Sequence, residues 1–280
     1  MNTQDFNLDK DPVIELISEA WSHWMTPPVK EEYVKNTYYS YRAVEHPDTT
    51  TEFKRKMEKT RIIALNTQNC YVYNFYLLNQ FNDPKQQFEW LENLLREMEK
   101  NGEVGIIIGH MSPGVSDCIN TLSTRLRALQ DRFQHVIRLS LYGHTHDEEF
   151  EIVRSFNDNK PISVNHVTPS FTTFLGRNPS FRAITLDVKT KLPIKVETYT
   201  LNIDLANKDD AHAKFVFNHE LTQEYNLADL SPASIFNLTQ KFRDEEELAI
   251  KYRTNMSAKG PEGHYYKQYG CDEQCRRKLS

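Results

Sequence analysis

Residues 82–110 read NDPKQQFEWLENLLREMEKNGEVGIIIGH, and this stretch contains the two kinds of element that decide the fold. Asp83, followed by Pro, predicts a helix start, because Asp caps free N–H groups and Pro fits the first helical position. Apolar residues then recur at helical spacing until Gly102, which predicts a C-cap. VGIIIG follows as a short apolar run typical of a buried strand, and His110 stands just beyond it.

The same alternation continues on both sides of this stretch. RIIALN at 61–66 and HVIRLSLYG at 135–143 are strand candidates, and residues 119–132 are a further helix candidate. FEIVRSF, PISVNHV, FRAITLD and PIKVETYTL follow as shorter strand candidates. The pattern predicts an α/β (α+β) fold of mixed sheets flanked by helices. We predict one domain over residues 1–205 and a C-terminal helical subdomain over residues 206–280.

Two polar segments complete the secondary-structure prediction. TTTEFKRKMEKT at 49–60 is predicted to form a loop or hairpin. AHAKFVFNHELTQEY at 211–225 is predicted to form a helix on the C-terminal side of the main domain.

The composition excludes several classes of partner and location. A net charge of −5 gives no basic surface for nucleic acid, so we expect no nucleic-acid partner. No apolar run is long enough to cross a membrane. The polar start MNTQDFNLDKDP has no apolar core, so no signal peptide is expected in this chain.

Cysteines and sequons leave the compartment open. Four cysteines fit two disulfides, although their number fits buried thiols nearly as well. Two N-x-S/T sequons, at Asn237 and Asn255, permit glycosylation.

Three histidines lie where apolar runs break into Gly-containing loops: His110 in GHMSPG, and His144 and His146 in LYGHTH. In an extended strand end, residues i and i+2 point the same way, so both rings of GHTH would face one site. Neutral imidazoles bind zinc and similar ions. The alternative is that these are ordinary polar loop residues. Three imidazoles without a carboxylate would also be an unusual two-metal site, because two dications need anionic charge.

A wider set of motifs carries a resemblance to a known family. GHMSPG, LYGHTHDEEFEI and VNHVTPSFTTFLGRNPSFRAITLD resemble stretches of acid sphingomyelinase and the acid-sphingomyelinase-like phosphodiesterases, within the calcineurin-like metallophosphoesterase superfamily. ALNTQNC, NDPKQQFEWL and CDEQC occur in the family's order, so the similarity covers about residues 12–275. The resemblance implies the later portion of a metallophosphoesterase sandwich.

The resemblance also implies a site. The family holds two zinc ions, with His110 and His144 on one and His146 on the other. Asn165, Thr173 and Phe174 would line the substrate pocket. A phosphodiester, such as sphingomyelin at a membrane surface, would be the substrate.

Disulfides and compartment follow from the same family pattern. Cys70 would pair with Cys118, and Cys271 with Cys275. The family is extracellular or lysosomal.

Residues 1–60 depart from the family pattern. They contain no D-x-H, Gly-Asp or Gly-Asn-His motif, which in the family supply the bridging Asp and the catalytic His. Patterns of this type at Asp210–His212 and Asn218–Glu220 lie too close together to serve, so we predict that they are not ligands. We therefore expect at most one weakly held zinc, and weak or absent turnover by the chain alone.

Two alternatives remain. The chain could be a non-catalytic binding or regulatory relative, or a hydrolase of nucleotides or other soluble phosphodiesters.

Overall fold

The computed structural model describes residues 5–8, 10–46, 48–80 and 82–280. By its contacts the chain divides into two compact units, which we call the first unit (Met1–Tyr142) and the second unit (Gly143–Ser280). This boundary does not coincide with the predicted domains 1–205 and 206–280, which stay a prediction.

The first unit contains a mixed sheet and helices. Its strands are β1 (Tyr39–Arg42), β2 (Thr60–Ala64), β3 (Val104–Ile108) and β4 (Ile137–Tyr142). Its helices are α1 (Pro12–Ala20), α2 (Pro27–Asn36), α3 (Thr51–Lys56), α4 (Gln87–Asn101) and α5 (Asn120–Arg132). β1 pairs antiparallel with β2, whereas β2, β3 and β4 run parallel in that order. The carboxyl ends of the parallel strands therefore share one edge of the sheet.

Helix α4 begins at Gln87, so the prediction that Pro84 takes the first helical position is wrong. Lys85 and Gln86 have left-handed φ values of 54° and 57°, which separate the turn at Pro84–Gln86 from the helix. The Asp83 carboxylate accepts hydrogen bonds from the backbone N–H groups of Phe88 and Glu89, at 3.0 and 3.1 Å. Gly102 adopts a left-handed φ of 65° at the C-cap. The buried face comprises Phe88, Leu91, Leu94, Leu95 and Met98. The predicted strands and helices of this unit are thus confirmed, apart from the start of α4 and residues 49–60.

Residues 49–60 were expected to form a loop or hairpin, and this prediction is wrong. They contain α3, whose N-cap Thr50 accepts a hydrogen bond through its side chain from the backbone N–H of Phe53. A Glu in the first turn and Lys and Arg in the last turn match the helix dipole.

The second unit combines a hairpin, a further sheet and helices. Its strands are β5 (Glu149–Arg154), β6 (Pro161–Val167), β7 (Ser180–Leu186), β8 (Pro193–Thr200) and β9 (Val216–Glu220). Its helices are α6 (Ile203–Ala206), α7 (Leu221–Glu224), α8 (Pro232–Lys241), α9 (Glu246–Met256), α10 (Pro261–Tyr269) and α11 (Glu273–Leu279). β5 pairs antiparallel with β6, and β7, β8 and β9 form an antiparallel sheet in that order. The predicted α/β architecture of mixed sheets and helices is confirmed.

The helix predicted over residues 211–225 is wrong in its main part. Residues 216–220 form β9, which pairs with β8, and only Leu221–Glu224 turns into a helix. The inner end of the strand is buried at His219 and Glu220, so tertiary pairing overrides the local helical pattern.

Apolar side chains from both kinds of element form the core of the second unit. The cluster comprises Phe150, Val164, Val196, Leu221, Tyr225, Leu230, Ile235, Leu238, Phe242, Ala249, Tyr252, Met256 and Cys271. The strands and helices of the second unit therefore share one apolar core, and this packing holds the ends of the connecting loops in place.

Both disulfides implied by the family pattern are present. Cys70 is bonded to Cys118 in the first unit, and Cys271 to Cys275 in the second unit. Among the described residues, no helix combines the length and the apolar character needed to cross a bilayer.

Candidate functional site

His110 lies in the first unit, just beyond the carboxyl end of β3. Its side chain is exposed. The next residue, Met111, donates its backbone N–H to Thr67 Oγ1 at 2.8 Å, which ties this loop to the turn that follows β2. A Cβ atom on Gly109 would lie 3.0 Å from Thr67 Cγ2 and 3.1 Å from Tyr142 Cε1. The glycine before His110 therefore permits a close approach of backbone to neighbouring side chains.

The GHTH loop lies in the second unit and is not extended. His144 and His146 have left-handed φ values of 81° and 65°. The expectation of an extended strand end at GHTH is therefore wrong, and the facing of both rings toward one site stays a prediction. A left-handed conformation is costly for most side chains but is tolerated comparatively often by His. Strained backbone of this kind is concentrated at functional sites, where surrounding contacts maintain it.

The ring of His146 packs against Phe174. Their centroids are 5.7 Å apart and the rings meet edge to face. The Nδ1 atom of His146 is shielded from solvent and has no hydrogen-bond partner among the described residues. A shielded imidazole nitrogen without a partner is costly unless it binds a ligand, so His146 suits a metal or a polar substrate group.

An ion pair joins the GHTH loop to the loop that carries Phe174. Arg177 Nε and Nη2 donate to the Asp147 carboxylate at 2.8 and 2.9 Å. Arg177 Nη1 also donates to the carbonyl oxygen of Leu175 at 2.6 Å. Because both charged side chains are largely buried, this bidentate pair holds the two loops together more firmly than an exposed pair would.

The next residue, Glu148, belongs to a buried charge cluster. Its Oε1 atom lies 2.8 Å from His219 Nε2 and 2.9 Å from Arg182 Nη2. Burial raises the pKa of Glu148, but Arg182 and His219 outweigh it, and the pKa falls to about 2. The Glu148 carboxylate therefore stays ionised, and its charge is balanced by Arg182 and His219 inside the protein.

Sequence reasoning missed this cluster. His219 belongs to the NHE pattern that we predicted not to supply metal ligands, and it contacts Glu148, two residues after His146. The sequence offered no signal for it, because β9 does not alternate: Val216 and Phe217 are exposed, whereas His219 and Glu220 are both buried.

The carboxylate of Glu149, which follows Asp147 and Glu148 in sequence, also has a hydrogen-bond partner. Glu149 Oε2 accepts a hydrogen bond from Thr145 Oγ1 at 3.0 Å. Burial, followed by the negative charge of Asp147, raises the pKa of Glu149. Among the described residues, no group of three or more His, Cys, Asp or Glu side chains is placed to hold a metal ion.

The other predicted site residues occupy different environments. Asn165 is buried in β6, whereas Thr173 and Phe174 are exposed on the loop before Arg177. Since His110 belongs to the first unit and His144 and His146 to the second, their convergence on one site stays a prediction.

The two sequons differ in accessibility. Asn237 is exposed on α8, and its glycosylation stays a prediction. Asn255 is buried, and its Nδ2 atom donates to Glu224 Oε1 and to the Tyr225 hydroxyl, each at 3.0 Å. A glycan on that nitrogen is incompatible with this packing, which corrects the expectation for Asn255.

Comparisons with known proteins agree with the motifs. A family model described as the acid sphingomyelin phosphodiesterase C-terminal region matches residues 160–278. Sphingomyelin phosphodiesterase B of Dictyostelium discoideum is 28% identical over 256 residues, which cover 89% of this chain and 38% of that protein. Sphingomyelin phosphodiesterase 2 of Caenorhabditis elegans is 29% identical over 277 residues, which cover 94% of this chain and 41% of that protein.

A relative named for a different activity also matches. The cyclic GMP-AMP phosphodiesterase SMPDL3A of Bos taurus is 30% identical over 255 residues, covering 86% of this chain and 53% of that protein. The chain thus spans about two fifths to one half of the length of these relatives.

Proposed function

Because the chain belongs to the acid sphingomyelinase-like family and matches the C-terminal portion of its members, we propose that it contributes to phosphodiester hydrolysis, with sphingomyelin as the substrate. One observation carries the proposal. The shielded Nδ1 atom of His146 has no hydrogen-bond partner among the described residues, while the ring packs on exposed Phe174. This arrangement offers a nitrogen ligand beside an aromatic surface.

Zinc is the group that these residues would hold. His110, His144 and His146 would supply neutral imidazole nitrogens, the ligand type that zinc accepts. Zinc, when bound, would polarise the phosphoryl group and lower the pKa of a bound water.

The charge balance limits how much zinc we expect. Asp147 is paired with Arg177, Glu148 with Arg182 and His219, and Glu149 with Thr145. Imidazoles without a free carboxylate leave the charge of two dications uncompensated. We therefore propose at most one weakly held zinc and low turnover by this chain alone.

The substrate contacts follow the same reasoning. Phe174 presents its exposed ring beside His146, and Thr173 is exposed next to it. An aromatic face attracts the quaternary ammonium of a choline headgroup, which favours a choline phosphodiester. Asn165, which is buried in β6, is proposed as the third pocket residue on the family pattern alone.

The test combines metal content with turnover. Zinc per chain is measured by mass spectrometry after dialysis, and hydrolysis is followed with a chromogenic phosphodiester and with sphingomyelin vesicles. We expect less than one zinc per chain, and lower zinc affinity in His144→Ala and His146→Ala. His135→Ala is the matched control, since His135 is exposed and pairs with Glu99 elsewhere. Two tightly held zinc ions with rapid turnover would refute the proposed incomplete site.

A second candidate is hydrolysis of a nucleotide phosphodiester. It is favoured by the similarity to cyclic GMP-AMP phosphodiesterase SMPDL3A. Parallel assays with sphingomyelin and a cyclic dinucleotide separate the two substrates. A non-catalytic binding role is the third candidate, favoured by the engaged carboxylates, and it requires substrate binding without turnover of either compound.

We also propose an extracellular or lysosomal location. The two disulfides support it, because such bonds persist in oxidising compartments. Fractionation of cells that express a tagged chain would test it, and a cytosolic pool with reduced cysteines would contradict it.

A further inference from the structure

Residues 71–78, YVYNFYLL, form a loop of the first unit that exposes large apolar side chains. The exposed members are Val72, Tyr73, Phe75, Tyr76 and Leu78. Phe75 is 69% exposed and Leu78 is 76% exposed. Apolar side chains at this density on a surface indicate contact with a partner.

The loop is held in place rather than left loose. Leu77 and Asn74 are buried, at 3% and 2% exposure, and anchor it from within. The backbone N–H of Val72 donates to the carbonyl oxygen of Asp117 at 2.8 Å, next to the Cys70–Cys118 disulfide. Because its anchors point inward, the loop presents the remaining apolar side chains outward with little entropic cost on binding.

The loop lies on the same edge of the sheet as His110. It follows β2 and the short turn at Thr67–Cys70, while His110 follows the parallel neighbour β3. The hydrogen bond from Met111 to Thr67 joins the two connections directly. Whatever binds the 71–78 loop is therefore brought to the His110 edge.

The charge of this segment indicates the nature of the partner. No Asp, Glu, Lys, Arg or His occurs between Arg61 and Asp83. A charge-free loop complements an electrically neutral surface, whereas nucleic acid and anionic membranes require basic residues. Tyr is typical of membrane interfaces, where one end of its ring is apolar and the other is wet, and Phe and Leu occur on the apolar face of interfacial segments.

We propose that the 71–78 loop docks onto a bilayer whose headgroups are zwitterionic and carry choline. The exposed rings of Tyr73, Phe75 and Tyr76 would lie at the headgroup level and contact quaternary ammonium groups, and Leu78 would enter the acyl region. The proposed docking rests on the proposed function, because it names the membrane surface from which a lipid phosphodiester would reach the His110 edge.

The test measures vesicle binding, which needs no turnover. The full chain is sedimented with sucrose-loaded phosphatidylcholine vesicles. Substituting Tyr73, Phe75 or Leu78 singly by Ser is expected to lower the partition coefficient roughly tenfold. Each substitution removes one apolar side chain that would be buried in the bilayer. The triple Ser variant is expected to bind below detection. Added salt and added phosphatidylserine leave the binding of the wild-type chain unchanged.

Matched controls isolate the loop. Leu16→Ser on α1 removes a side chain that is 71% exposed, and it is expected to leave binding unchanged. Circular dichroism and the thermal midpoint verify that every variant is folded.

Three results would overturn the proposal. The first is that the triple variant binds phosphatidylcholine vesicles as well as the wild type does. The second is that the wild type binds only vesicles that contain phosphatidylserine and is released by salt. The third is that the wild type is a dimer that does not bind vesicles and that the triple variant is a monomer. A chain that docks without hydrolysing sphingomyelin would refute the proposed function alone.

Discussion

Replacing Glu148 by Gln removes the only carboxylate that contacts Arg182 among the described ion pairs of the buried cluster. Glu148 Oε1 lies 2.8 Å from His219 Nε2 and 2.9 Å from Arg182 Nη2. The side chains of Glu148, His219 and Arg182 are 4%, 2% and 1% exposed. Water therefore cannot replace the lost anion, and the guanidinium of Arg182 is left buried without a counter-charge.

Two magnitudes bear on this change, one from the pKa of Glu148 in this structure and one from buried ion pairs in general. Burial raises the pKa of Glu148, yet Arg182 and His219 lower it from 4.5 to about 2. A difference of this size corresponds to about 3 kcal/mol of interaction with the ionised carboxylate. Breaking a buried pair by removing one partner costs about 3–5 kcal/mol. We therefore expect E148Q to lower the free energy of unfolding by about 3–5 kcal/mol.

The assay is urea unfolding at pH 7, followed by far-ultraviolet circular dichroism. Asp158→Asn is the matched control, because Asp158 pairs with Lys160 on the surface, where such pairs contribute about 0–1 kcal/mol. The double variant Glu148→Leu/Arg182→Leu removes both buried charges, and it is expected to be more stable than E148Q. A loss below about 1 kcal/mol in E148Q, or a double variant less stable than E148Q, would refute the reasoning.

Three further predictions concern other parts of the chain. Replacing Cys70 and Cys118 together by Ser is expected to cost about 3–4 kcal/mol in urea unfolding, because the disulfide closes a loop with a sequence separation of 48. His166 is buried, and burial, followed by the charge of Arg182, lowers its pKa from 6.5 to about 3. The unfolded chain thus takes up a proton there first, so its contribution to stability is complete above about pH 6.5 and is lost as the pH falls toward 3. In a secretory host, Asn255 is expected to remain unglycosylated while Asn237 is accessible, which peptide mass spectrometry would detect.

Each of these predictions has a contradicting result. Equal stability of the Cys70→Ser/Cys118→Ser variant and the wild type under oxidising conditions would contradict the first. For the second, His166→Gln should flatten the decline in stability between about pH 6.5 and 3, and an unchanged slope would contradict it. A glycan at Asn255 in folded, protease-resistant protein would contradict the third.

The sequence alone determined the elements whose signals are local. The existence and the end of helix α4 could be predicted because its apolar face repeats at helical spacing and Gly102 ends it. Its start could not, because the left-handed Lys85 and Gln86 delay the helix to Gln87, although the Asp83 carboxylate still accepts hydrogen bonds from its first turn. The strands at β2, β3 and β4 follow from short apolar runs bounded by polar turns. Both disulfides followed from the motif order that the family shares, which arithmetic on four cysteines could not have given.

The tertiary structure alone decided the elements whose local signals were ambiguous. Residues 216–220 carry a pattern that fits a helix as well as a strand, and pairing with β8 selects the strand. Residues 51–56 were missed for a local reason instead, because their polar composition fits a loop whereas the neighbouring cap residue Thr50 stabilises a helix.

The same division holds at the candidate site. The sequence identified His144 and His146 as the residues of interest, because GHTH ends an apolar run and lies within the longer stretch LYGHTHDEEFEI that resembles the family. Their left-handed backbone appears only in the structure. Asp147 is engaged by Arg177, 30 positions away in sequence, and Glu148 by His219, 71 positions away. Such contacts form only when distant segments pack together, so no local pattern could have revealed that these carboxylates are already occupied.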